Sequence, residues 1–262
     1  MGKVDSVVST AVLAGIKTTA SSPLDSLFAK SGIRVRLVRT SDQMQKVVEF
    51  RRQAYARFPS QDELMSKVED ADLDSSAVLV IAEDTQTGSV LGTTRVHCGS
   101  SYVLRRFPDL PMSAALRSER LCFVTRLAVN APSTKLHAFV RSLLFKTCYQ
   151  VCVASQTSEM LVVIHPRRTW QFRQIGFTSM SEDKSPVRLA ALGFEPLIAM
   201  SANVANWGST LSRLTSPLYD FIFSTFHPEI EVFQSISSVE SRVNLYPSVP
   251  STSPDFEDQQ VA

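Results

Sequence analysis

The 262-residue chain has no run of about 18 apolar residues, so no membrane-spanning helix is predicted. Peripheral contact with a membrane stays open. Among its four cysteines, Cys98, Cys122, Cys148 and Cys152, no Cys-x-x-Cys and no Cys/His pair has zinc spacing, and no metal is expected. Cys148 and Cys152 stand four apart on an apolar helix face and read as buried, reduced thiols, compatible with the cytoplasm. A formal charge of only +2 excludes nucleic-acid binding by bulk charge. Acids are scarce in one long stretch. From Arg120 to Gly176 there is a single one, Glu159, against eight Lys and Arg. The converse holds from Gln61 to Asp84, where eight acids face one lysine, Lys67. One acidic and one basic segment point to a polar site and an anionic partner. Glycine is absent from Asn130-Ala131-Pro132-Ser133-Thr134-Lys135, a strand-to-helix turn. A backbone that must wrap a pyrophosphate needs glycine there, and Pro132 removes one amide more.

What is present is a regular alternation of elements. Residues 1–31 read as a weakly ordered N-terminal arm; its mild apolar stretch loosely imitates a signal peptide, and Met1-Gly2 with Ser6 fits a loose myristoylation pattern. Ile33–Thr40 alternates like a half-exposed strand. Thr40 and Gln43 form a capping-box start for a helix that ends before Pro59. "AVLVIAED", "TQTG" and "SVLGTTRVHC" read as a hairpin, and "ERLCFVTRLAV" as a further strand. Apolar residues at 136, 139, 140, 143, 144, 148, 151 and 152 predict a long amphipathic helix. "EMLVVIHP" reads as a buried strand, "RRTWQFRQIGF" as a short helix stopped by Gly176, and "FEPLIAMSA" as a last strand. The order β-α-β-β-β-α-β-α-β predicts an α/β fold with a mixed sheet flanked by helices, over residues 32–206. Residues 207–234 predict a helical extension with Leu211, Leu214, Leu218, Phe221, Ile222 and Phe226 on one face; residues 235–262 read as a disordered tail.

This order, ending in "RQIGF", resembles the GNAT acyltransferase fold, a mostly antiparallel mixed sheet. It is most similar to FeeM-type N-acyl amino acid synthases, relatives of the LuxI-type autoinducer synthases. Arg51 with Tyr55 resembles the family's R-x-x-x-aromatic; "LGTTR" its G-x-x-R, giving Arg95; and "TRLAV" its R-[FL]-A-V, giving Arg126. Asp72 and Asp74 stand in the acidic loop, two apart where the relatives' loop acids are three apart. The relatives' glutamate three residues before Arg126 is Phe123 here, and Glu119 lies four residues further upstream. The resemblance implies an N-acyltransferase with Glu119, Arg126, Asp72, Asp74 and Arg95 around the reaction. It implies an amino-acid acceptor held by Arg51, Tyr55 and Arg95. The oxyanion would be stabilised by a backbone amide of the "RLAV" strand.

The glycine-free turn favours a donor with a single phosphate: an acyl-phosphopantetheine on acyl carrier protein, with no cofactor bound to the chain itself. Lys135, Arg141, Lys146, Arg167 and Arg168 supply a basic docking face for that acidic partner. The amine's proton has Glu119, Asp72, Asp74 and His97 as candidate acceptors. Trp207, Leu214 and Phe221 are expected to wall a long acyl chain. An autoinducer synthase, a coenzyme-A-dependent GNAT acetyltransferase and a non-catalytic binding module on the same fold stand as alternatives.

Overall fold

The computed structural model describes residues 32–56, 67–112, 120–181, 185–189, 196–216, 218–227 and 230–232. The expected N-terminal arm, the expected tail and Glu119 lie outside these residues. The elements are β1 (Ile33–Leu37), α1 (Ser41–Tyr55), α2 (Asp70–Leu73), β2 (Ala77–Asp84), β3 (Val90–Cys98), α3 (Ser100–Arg106), β4 (Leu121–Val129) and α4 (Thr134–Ala154), followed by β5 (Glu159–Ile164), a 3-10 turn (Pro166–Arg168), α5 (Thr169–Gln174), β6 (Thr178–Ser179), β7 (Val187–Arg188), β8 (Pro196–Asn203) and α6 (Trp207–Arg213). The strands form one mixed sheet in the order β1-β2-β3-β4-β5-β8-β6, with β7 on β8. Neighbouring strands run antiparallel except β4 with β5, which are parallel. This mostly antiparallel mixed sheet flanked by helices is the architecture that the resemblance implies. The short α2, α3, β6 and β7 are additions, too brief to carry a periodic signal.

Local chemistry explains the helix starts. The Thr40 hydroxyl accepts from the Gln43 amide at 3.3 Å, and Gln43 Oε1 accepts from the Thr40 amide at 3.3 Å. That reciprocal box satisfies donors that the first turn leaves free. Ser133 does the same for α4, accepting from Leu136 N at 3.2 Å. α4 buries Phe139, Val140, Leu143, Leu144, Cys148, Val151 and Cys152, the stripe read from its periodicity. Each large apolar side chain so buried contributes about 1.5–3 kcal/mol. Gly92 on β3 sits beneath this helix. A Cβ there would lie 2.7 Å from Val140 Cγ1 and 3.0 Å from Leu144 Cδ1, so only glycine lets α4 lie this close. Gly176 has φ 86°, the left-handed stop that its place after α5 predicts.

The two sheet faces differ. Cys122, Val124, Met160, Val162 and Met200 face α4 and the main core. Leu121, Phe123, Leu161 and Ala199 point the other way, into a second core with Tyr102, Phe107, Leu110, Met112 and Leu189. On that second face α1 covers Ala77, Leu79 and Ile81 with Met44 and Val47.

The C-terminal extension departs from expectation. A single amphipathic helix was predicted. Instead α6 ends at Arg213, Thr215 turns left-handed at φ 48°, and a π-helical turn follows at Asp220–Ser224. Ser216 precedes Pro217, and a residue before proline resists the α region.

Candidate active site

Five charged side chains from four parts of the fold meet on the α1 side of the sheet. α1 presents Arg51 on its buried face, one turn beyond Val47. Arg51 Nη1 donates to both oxygens of Asp72, each at 2.9 Å. Arg95 on β3 donates through Nη1 to Asp72 Oδ1 at 2.8 Å and to Glu69 Oε2 at 2.9 Å; its Nε reaches Thr125 Oγ1 at 3.1 Å. Arg126 on β4 clasps Glu69 side-on, Nε to Oε2 at 2.8 Å and Nη2 to Oε1. The Glu69 amide donates to Asp72 Oδ2 at 3.1 Å, which ties the two acids together at the start of α2.

A backbone irregularity delivers Arg126. Across β3 and β4 the register passes from Thr93↔Ala128 to Arg95↔Thr125, leaving one extra residue on β4. Arg126 takes φ 52° there, a left-handed conformation rare for a side chain of this size. Such a bulge re-aims a side chain that strict alternation would send to the opposite face. β4 also parts from its parallel neighbour at this point. Pairing with β5 stops at Val124↔Val162, while β5 runs on along β8 to Ile164 and β4 along β3 to Val129. An opening is therefore built into the sheet beside Arg126, and α4 begins at the same end.

Burial alone would raise both carboxyls. For Asp72 the Arg51 and Arg95 charges outweigh it, and for Glu69 the Arg126 bond and charge do; both are held below the usual carboxylate range. These acids stay ionised to hold arginines, which makes them poor proton acceptors. His97, by contrast, is neutral and also a poor proton acceptor: burial, aided by Arg95, pushes its pKa down to about 3. Its ring stacks on Tyr102 at 3.4 Å, and Nδ1 lies 3.3 Å from Ser76 Oγ. Tyr55 follows Arg51 by one turn, and burial raises its hydroxyl pKa.

The sequence from residue 46 to residue 203 matches the family described as N-acyl amino acid synthase FeeM. The chain belongs to the FeeM family. It is an N-acyltransferase on a GNAT fold. The solved structure of FeeM, "an N-acyl amino acid synthase from uncultured soil microbes", superposes with a TM-score of 0.56 at 15% identity, over 68% of this chain and 93% of that one. A coenzyme-A-dependent acyl-homoserine lactone synthase, BjaI, gives 0.51 at 13% identity, over 71% of this chain and 91% of that one. At these identities the superpositions speak for the fold. No curated protein matches in sequence.

Against the residues expected of a FeeM-family enzyme, the structure brings together Arg51, Asp72, Arg95 and Arg126, with Tyr55 beside them. It places Asp74 elsewhere. That carboxylate binds the amide and hydroxyl of Ser76, at 2.8 and 2.5 Å, and the exposed Arg105 at 3.2 Å. Its place in the cluster is taken by Glu69, which sequence reasoning passed over. The signal was available: Glu69 and Asp72 are three residues apart, the spacing of the relatives' loop acids.

The basic face keeps Lys135, Arg167 and Arg168 on the surface. Arg141 is half-buried, donates to Gln171 Oε1 at 3.3 Å, and has its pKa lowered by burial and by Arg168. Lys146 must be removed from that face. It is 1% exposed, and its ammonium donates to the carbonyls of Phe221 and Thr225 at 2.5 and 2.6 Å. Helical periodicity had not shown that the C-terminal segment covers this side of α4.

The three residues expected to wall an acyl chain lie away from the cluster. Trp207 and Phe221 belong to the main core on the α4 side, where the Trp207 indole donates to Ile175 O at 2.6 Å. Leu214 is 47% exposed. None of the three belongs to the apolar face that carries the arginine cluster.

Proposed function

We propose that the chain moves a long-chain fatty-acyl group from the phosphopantetheine thiol of acyl carrier protein to the amine of an amino acid. The observation that carries this reading is the opening between β4 and β5 beside the arginine cluster, headed by a helix start without glycine. A thioester carbonyl fits against the splayed end of β4, where a backbone amide receives the developing oxyanion. The amine attacks the carbonyl carbon, the C–S bond breaks, and an amide is formed. The departing thiolate, with a thiol pKa of about 8.5, takes the proton that the amine releases, directly or through water. This accounts for poor proton acceptors among the described residues of the site, Glu69, Asp72 and His97.

The acyl chain is assigned to the cluster's own face of the sheet, where the half-buried Val163 packs against the second core of Phe123 and Leu161. The Ser133-capped start of α4 suits one phosphate, and Lys135, Arg141, Arg167 and Arg168 meet the acidic carrier. The test is direct. Purified protein is incubated with dodecanoyl- or hexadecanoyl-acyl carrier protein and all twenty amino acids, and products are read by mass spectrometry. An N-acyl amino acid is expected, with acyl-coenzyme A at least about tenfold poorer as donor. No N-acyl product from any amino acid sinks the reading.

A further inference from the structure

Among the described residues the cluster sets three guanidinium groups, Arg51, Arg95 and Arg126, against two carboxylates, Glu69 and Asp72. The donors are used unequally. Arg126 gives its whole Nε–Nη2 edge to Glu69. Arg95 uses Nε on Thr125 and Nη1 on both acids. Arg51 engages only Nη1. Its Nε and Nη2 are buried and have no hydrogen-bond partner among the described residues, in a side chain that is only 1% exposed. Buried donors left in this state bear the cost of desolvation with nothing returned, and in native proteins they call for an explanation.

The chemistry of that edge is specific. Nε–H and Nη2–H of a guanidinium are parallel and spaced to meet both oxygens of one carboxylate, the arrangement Arg126 makes with Glu69 a few ångströms away. The third positive charge asks for an anion, and the edge asks for a planar one with two acceptors. Asp72 fixes the other end of the Arg51 guanidinium, so the edge is held in one orientation and loses little freedom on binding. Burial lowers the Arg51 pKa despite Asp72, which agrees with a charge short of partners. Of the two arginines that the resemblance gives to the acceptor, Arg51 and Arg95, Arg95 is committed to the protein's own acids, as is Arg126, which leaves the edge of Arg51.

We propose that the Nε–Nη2 edge of Arg51 clamps the α-carboxylate of the acceptor and makes the enzyme selective for amines that carry one. This rests on the acyl-transfer reading above. With wild-type enzyme and acyl carrier protein loaded with dodecanoate, each accepted amino acid is compared with its primary carboxamide, which keeps the amine and the side chain. Two charge-assisted hydrogen bonds predict a kcat/KM for the carboxamide lower by about 100-fold or more. Rates within threefold of each other overturn the proposal.

Arg51→Lys, which keeps the charge toward Asp72 but not the fork, is expected to raise the acceptor KM at least about tenfold and to bring the acid-to-amide ratio toward one. The KM for the acyl carrier protein should not move. A folded Arg51→Lys that retains the ratio, or one that shifts only the carrier's KM as a phosphate clamp would, refutes the assignment. If the variant fails to fold, the wild-type comparison decides. Should no amine of either kind be acylated, the transfer reading fails by itself. The clamp is then judged by calorimetric binding of N-dodecanoylglycine against N-dodecanoylglycinamide to wild-type protein: tighter binding of the acid by tenfold or more supports it, and equal binding ends it.

Discussion

Replacing Asp72 by asparagine isolates what the buried ion cluster contributes to the fold. The carboxylate is fully enclosed and accepts four hydrogen bonds: two from Arg51, one from Arg95 and one from the Glu69 amide. Asparagine has nearly the same shape, but its amide nitrogen is a donor. Turned one way it faces Arg51 and Arg95; turned the other it faces Arg51 and the Glu69 amide. At least two contacts become donor against donor, and one of the two carboxylates holding three arginines is lost. Removing one partner of a buried pair costs about 3–5 kcal/mol. Whole domains are stable by about 5–15 kcal/mol, so this is a large share. With a urea slope of about 3 kcal/mol per molar, the unfolding midpoint falls by about 1–1.7 M. Asp74→Asn is the control. Its carboxylate serves Ser76 and an exposed arginine, and its loss is expected to cost about 1 kcal/mol. Urea melts of both variants at neutral pH decide the matter. A midpoint shift for Asp72→Asn no larger than that for Asp74→Asn would refute the reasoning.

Other expectations follow from the same geometry. Arg126→Ala and Arg126→Gly both remove the clasp on Glu69 and should lower turnover at least about 100-fold, but glycine is at ease at φ 52° and should leave the protein about 1 kcal/mol more stable than alanine does; equal melting of the two variants contradicts this. His97 takes its proton at about pH 3 in the folded protein against the ordinary imidazole value of about 6.5, so only the unfolded chain binds that proton between those values. Stability is therefore complete above pH 6.5 and falls as pH drops toward 3, by at most about 1.4 kcal/mol per unit from this group, and His97→Gln should flatten that slope in melts taken at pH 7 and pH 5. The double change Arg167→Glu and Arg168→Glu should raise the KM for acyl carrier protein several-fold at low salt, with the effect shrinking at high salt; a change confined to the maximal rate speaks against docking there. Lys146→Glu should act through the fold, since it sets a carboxylate against the Phe221 and Thr225 carbonyls; a normal melt with an altered carrier KM would reverse that assignment.

How much was legible varied with the range of the interaction. The α4 stripe, the Thr40–Gln43 box and the Gly176 stop are written in spacings of three and four residues, and each is in place. Arg51, Arg95 and Arg126 were found because short motifs carry them. Glu69 was not named, although it stands three residues before Asp72, and only the fold shows that it, and not Asp74, meets the arginines. The burial of Lys146 went unseen because its partners lie 75 and 79 residues away, on a segment whose helix breaks before it gets there.

The sequence by itself determined the longer elements of the core, their order, the α/β class and the set of arginines, since hydrophobic period, capping residues and short motifs act within a turn or two of the chain. Only the tertiary structure decided which charges meet. The bonds that define the cluster join residues 21 to 57 positions apart, across α1, α2, β3 and a bulged β4. No local pattern encodes such pairings. They depend on strand register, on one left-handed residue that turns Arg126 toward Glu69, and on burial that makes every unfilled donor count, which is how the edge of Arg51 came to stand apart from its neighbours.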